Sequence, residues 1–222
     1  RVFRTGQGGP GNPTDVLASD GALGDYGPAW WAQMTHLLGD ALVLAKQAAD
    51  EGSGPHVDSL SALRAAKECL PAGDPMLLAE VGRSLLRCGH VDSAQLELER
   101  ALRLGDQVFG AGRPWPGRAA VLHGLGSAHG MNSETDRAIQ LFREALQAEP
   151  GGGPNEAATR FLLARSLAET GDERGALDEL ERAVNSGLWV SDQLLKGSAF
   201  DDLQDHPRFL TIKERMAKNA PN

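Results

Sequence analysis

Cysteine is scarce in this chain: its 222 residues hold two, Cys69 and Cys88. Neither belongs to a CxxC pair or to a Cys/His ligand spacing, so both read as reduced thiols packed in helices rather than as a disulfide or a metal pair. Aromatic residues make up only 5%, and no apolar run approaches the length of a bilayer crossing, so membrane insertion is not expected. Basic residues are outnumbered: 22 Lys and Arg stand against 30 Asp and Glu, a formal net charge of −8. An acidic surface repels phosphate backbones, so nucleic acid is not an expected partner. HExxH, GxSxG and the Walker loop are all missing. The run Gly6-Gln7-Gly8-Gly9 lacks the Lys-Ser/Thr ending of a phosphate loop and follows no clear strand. The six histidines show no metal-ligand spacing, and His36 with Asp40, four apart on one helix, fits a solvated pair better than the edge of a metal site. The chain therefore reads as a non-enzyme without cofactor or metal.

Ala, Leu and Gly are abundant instead, with 27 glycines. Ala and Leu are strong helix formers, and small residues let helices approach closely. The glycines are expected mostly between helices. Residues 1–28 lack hydrophobic periodicity and read as an extended or partly ordered leader. Residues 29–50 carry a helical pattern with Trp30, Met34, Leu37, Leu38, Ala41, Leu42 and Ala45 on one face. The Trp30–Trp31 pair fits core plus an exposed edge better than a ligand platform. A second helix is expected over 57–70, stopped by Pro71 and Gly73, so that 29–73 forms a first, degenerate pair.

Three clearer pairs fill 74–190. Their expected helices are 75–87 with 91–104, 118–131 with 134–148, and 155–170 with 173–186. Asp74 and Ser133 are the expected N-caps, and Gly105 to Gly117 is expected to be an extension plus loop after the 91–104 helix. The pairs superpose in sequence on Ala94, Ala138 and Ala176. Twelve residues earlier stand Gly82, Gly126 and Ala164. Four later come Leu98, Phe142 and Leu180, and seven later Ala101, Ala145 and Ala183. The turn position, five before the anchor, holds Gly89, Ser133 and Gly171. A larger side chain at Gly126 or Ala138 would push the two helices apart and forfeit dispersion contacts along the seam. One such hairpin cannot bury its apolar face alone, whereas stacked neighbours can. Residues 191–222 are expected to form a turn and a capping helix, with Phe200, Leu203, Phe209 and Ile212 covering the last pair.

This pattern resembles the tetratricopeptide repeat, a 34-residue helix–turn–helix unit. The resemblance implies an all-α fold: an α-solenoid of antiparallel helix pairs in a right-handed superhelix, with a C-terminal capping helix. The anchors lie 44 and then 38 residues apart. The extra length in loops bearing Gly and Pro is similar to the repeats of kinesin light chains. The tail Ala199–Phe209 resembles endings that follow the last such repeat in bacterial multidomain proteins. The aromatic that the family places late in its first helix is replaced by Leu85, His129 and Leu167, which makes His129 a satisfied histidine in the packed seam.

The family resemblance also implies a groove lined by the first helix of each pair: Arg83, Leu86 and Arg87, then His123, Ser127 and Met131, then Phe161 and Arg165. The Lys/Asn arrangement of the chaperone-tail clamp is absent at these positions. Arginine suits bidentate pairing with carboxylates, so one expectation is a protein or peptide partner with an acidic segment, contacted also by Met131 and Phe161. The other is that the arginines pair with neighbours such as Glu80 and Glu169, or stay solvated. For the whole chain, the expected function is a scaffold for protein–protein interaction. The competing readings are a non-catalytic accessory region of a larger bacterial enzyme and a groove filled by the chain's own leader. The chain begins at Arg1 and shows no signal peptide, which fits a cytoplasmic protein and a segment of something longer.

Overall fold

The computed structural model describes residues 33–40, 42–43, 58–69, 74–111, 113–149, 153 and 155–220. The leader with its Gly6–Gly9 run, the Trp30–Trp31 pair, the stops at Pro71 and Gly73, and the side chain of Cys69 lie outside the described residues. Residues 33–40 and 42–43 are helical. The later helices are α1 (Ser59–Cys69), α2 (Pro75–Arg87), α3 (Val91–Phe109), α4 (Arg118–Met131), α5 (Thr135–Ala148), α6 (Glu156–Glu169), α7 (Glu173–Asn185), the short α8 (Asp192–Leu195), a 3-10 turn (Ser198–Leu203) and α9 (Pro207–Ala217). The molecule is an all-α solenoid. α2 packs on α3, α4 on α5 and α6 on α7, while α3 with α4 and α5 with α6 join one pair to the next. No described helix is long and apolar enough to cross a membrane.

The three pairs turn in the same way. Gly89, Ser133 and Gly171 adopt φ of 82°, 62° and 81°. After each, the next N–H reaches the carbonyl five residues back: His90 to Leu85, Glu134 to His129, Asp172 to Leu167, all at 2.9 Å. This left-handed closure satisfies carbonyls that the helix end leaves open. Ser133 is thus the turn residue, not the expected N-cap, and Glu134 takes the cap position. Asp74 does cap α2, accepting from the N–H groups of Met76 and Leu77, with Pro75 in the first turn.

The aligned small residues sit in the seams. Ala94, Ala138, Ala164 and Ala176 are fully buried. A Cβ at Gly126 would stand 2.6 Å from the ring of Phe142. Leu98 reaches two helices at once: a Cβ at Gly82 of its own pair would lie 2.6 Å from it, and one at Gly124 of the next pair 3.0 Å. The side chain of Leu98 is therefore wedged between consecutive pairs.

α3 runs past Gly105 to Phe109, five residues beyond the expected end. A Cβ at Gly105 would lie 2.2 Å from the indole of Trp115. The glycine is there because a buried ring lies against the helix, not because the helix stops. Trp115 Nε1 donates to Asp106 at 3.2 Å, and its ring stacks on Phe109 at 6.0 Å. At the other end, Phe200, Leu203, Phe209, Ile212 and Met216 are buried against α6 and α7. Arg208 fixes α9 to α7, donating to both oxygens of Glu181 at 3.0 and 2.8 Å and to Asp178 at 2.7 Å. The same guanidinium holds the Asp178 and Glu181 carboxyls below their ordinary range.

Candidate partner-binding groove

Residues four apart on a helix share a face. Arg83 and Arg87 on α2, and His123 and Ser127 on α4, are such pairs. The packing of α2 beside α4 brings them together around a depression of about 370 Å³. Leu86, Gly124, His36 and Asn155 complete its lining. Five of the eight residues expected to form the groove, Leu86 among them, thus meet at one place.

The other three do not. Met131 is exposed at the last turn of α4 and lies outside the depression. Phe161 is buried in the C-terminal core, its ring 6.0 Å from Phe200. The 3-10 turn covers the position that an open groove would leave bare. Arg165 lies beyond the depression and pairs within its own helix, Nε to Glu169 Oε1 at 3.4 Å. His129 is a satisfied histidine: its side chain is 12% exposed and its Nδ1 lies 2.6 Å from Glu134 Oε2 across the α4–α5 turn.

The charges at the depression form a chain. Arg83 Nη2 donates to Glu80 Oε2 at 2.6 Å, and Glu80 Oε1 meets His36 Nδ1 at 3.0 Å. His36 Nε2 stands 3.4 Å from Asp40, and Asp40 accepts from Arg87 Nη1. The second Nη of Arg87 reaches the His36 carbonyl and Ser84 Oγ, each at 3.2 Å. Gly39 leaves the passage for this guanidinium: a Cβ there would stand 2.4 Å from it. The two ends of the chain differ in exposure. The Glu80 side chain is 10% exposed, whereas that of Asp40 is 47% exposed. Pairing of groove arginines with neighbouring carboxylates is therefore realised, firmly at Arg83 and superficially at Arg87.

His123 is set deeper. Its Nδ1 lies 2.8 Å from the Thr159 hydroxyl, and Ser127 Oγ donates to its carbonyl at 2.9 Å. Burial, with the Arg83 charge adding to it, pushes the imidazole down to about 4, so the ring is neutral at pH 7. Asn155 opens α6, its side chain makes no capping bond, and the residue lines the depression. Sequence reasoning passed over His36 and Asn155 as groove residues. The contact of His36 with Glu80 joins residues 44 positions apart. Asn155 read simply as a helix start, and the sequence carries no signal that its cap bond would be unmade.

A second depression, about 290 Å³, lies among α5, α6 and α7. Among its lining residues Arg160 donates to Glu156 at 2.8 Å and to Glu179 at 2.9 Å, and Glu179 accepts from Arg182.

Two tetratricopeptide-repeat profiles match the chain, one over residues 81–153 and one over 131–187. Among solved structures, a Podosopora anserina protein described as a kinesin light chain with nearly identical TPR-like repeats superposes with a TM-score of 0.51. It is 20% identical, over 83% of this chain and 86% of that one. A single-substitution form of the same protein gives 0.52 at 20% identity, over 83% and 85%. A double mutant of MamA from RS-1 gives 0.51 at 16% identity, covering 83% of this chain and 94% of its own. These likenesses describe the fold. No curated protein sequence matches the chain.

Proposed function

The chain belongs to the tetratricopeptide-repeat family, and from that premise we propose that the depression between α2 and α4 receives an acidic segment of a partner protein. Repeats of this family are scaffolds for protein–protein interaction, so the open question is where and what this one holds. The observation that carries the reading is the unequal hold on its two arginines. Arg83 is fixed by the buried Glu80 but spends one Nη on it, leaving further N–H donors of its fork. Arg87 is paired with an exposed carboxylate, and such surface pairs contribute about 0–1 kcal/mol. A partner carboxylate replaces Asp40 at Arg87 at little expense, and Arg83, one turn away, takes a second oxygen or a second acidic residue.

The test is binding of fluorescein-labelled Asp/Glu-rich peptides to the full chain and to the Arg83→Ala/Arg87→Ala variant. Affinity is expected to fall at least tenfold in the variant, and to weaken with salt in the wild type only. Equal affinity and equal salt dependence in both proteins would reject the groove.

A further inference from the structure

We infer that the segment bound at this groove carries, beside its carboxylate, a side-chain hydroxyl or amide donor that bonds to Nε2 of His123. The inference rests on the groove reading and specifies the partner's chemistry.

A single proton decides the tautomer. Thr159 is in α6, and its hydroxyl donates to the carbonyl of Asn155 four residues earlier, at 2.8 Å. This is the usual back-bond of a helical threonine. A hydroxyl has one proton; with that proton on the Asn155 carbonyl, the 2.8 Å contact between Thr159 Oγ1 and His123 Nδ1 is donated by the ring. In a neutral imidazole one nitrogen carries the proton and the other accepts. With Nδ1–H committed to Thr159, Nε2 is the acceptor. Among the described residues nothing bonds to Nε2, and the ring lines the depression.

The groove is thus asymmetric. Its rim offers donors, Arg83 and Arg87, whose side chains are 35% and 32% exposed. Deeper in, it offers a fixed acceptor. A partner carrying only carboxylates satisfies the rim and leaves Nε2 without a partner while displacing its water. An unmet buried acceptor is unfavourable by an amount comparable to a hydrogen bond. A backbone running along the rim reaches the deeper ring with a side chain, and Ser, Thr, Asn and Gln carry the required donor. The volume of about 370 Å³ falls in the range of pockets that hold small ligands, which leaves room for such a side chain beside the acidic one.

The experiment selects dodecapeptides from a random phage-displayed library on the full chain and on the His123→Phe variant. On the wild type, Asp or Glu is expected to be enriched together with Ser, Thr, Asn or Gln at a fixed offset. Replacing that donor by Ala in a selected peptide should weaken binding about tenfold on the wild type and less than twofold on His123→Phe. In long-range ¹H–¹⁵N spectra, Nε2 of His123 is expected to be unprotonated in the free protein and to shift on peptide binding. Thr159→Val removes the group that fixes the tautomer and provides a second variant should His123→Phe fail to fold; there the donor preference should weaken. Acid-rich peptides without a donor preference, a preference indifferent to both variants, or a protonated Nε2 would each overturn the inference while leaving the groove standing. Selected peptides that bind Arg83→Ala/Arg87→Ala as well as wild type would remove the groove and the inference together.

Discussion

His123 and Thr159 are joined side chain to side chain at 2.8 Å although they stand 36 residues apart, so this contact ties α4 to α6 directly. The imidazole must be neutral for burial to be tolerated.

That neutrality has a pH signature. The ordinary histidine value of 6.5 is lowered to about 4 in the folded chain. As pH falls from 6.5 to 4, the unfolded chain takes up a proton at this residue that the folded chain refuses. Its contribution to stability is therefore fully present above pH 6.5 and is lost as pH falls through the folded value, amounting to about 3 kcal/mol at most. Urea unfolding of wild type and His123→Phe between pH 4 and 7 should show a shallower decline in the variant. Parallel curves would contradict a buried neutral ring.

Ser133 holds a backbone conformation, φ 62°, that its counterparts Gly89 and Gly171 adopt without a Cβ. Left-handed geometry disfavours ordinary residues by about 1 kcal/mol. Ser133→Gly is expected to raise stability by about that amount, and Gly171→Ser to lower it similarly, both read from thermal melts. A destabilised Ser133→Gly would mean that the hydroxyl does something the turn requires.

Gly126→Ala is expected to destabilise by about 1–3 kcal/mol, since the new methyl meets the buried Phe142 ring at 2.6 Å. In the same helix Gly130→Ala meets only the Ala138 methyl at 3.8 Å and should raise stability by up to about 1 kcal/mol. Phe142→Leu combined with Gly126→Ala should recover part of the loss, a non-additivity that denaturant melts of the four proteins would detect. Strict additivity would place the strain elsewhere.

Features set by local sequence were legible before the structure. The small residues at Gly82, Gly126, Ala94 and Ala138 announce close seams because no larger residue fits them. Asp74 and Pro75 announce a helix start through their own backbone preferences. Features set by distant partners were not. Residues 105–117 read as an extension plus loop, yet the helix runs on to Phe109 and Gly105 leaves the space that a tryptophan ten residues later needs. Phe161 reads as groove-lining because the family resemblance places its position there, whereas in the fold it packs against Phe200, 39 positions on. The groove arginines were legible as a face but not as a network, since their partner helix comes from residues 33–43 and registers against them only in three dimensions.

Leu98 has one further consequence. It touches both its own first helix at Gly82 and the following one at Gly124, so its bulk is a spacer between successive units. The aligned positions hold Phe142 and Leu180, and a spacer's thickness fixes how far each unit rotates relative to the last. The angle between successive units is therefore encoded in the buried seams rather than on the exposed surface. Exchanging leucine and phenylalanine among these three sites would bend or straighten the binding face without altering a single residue that lines it.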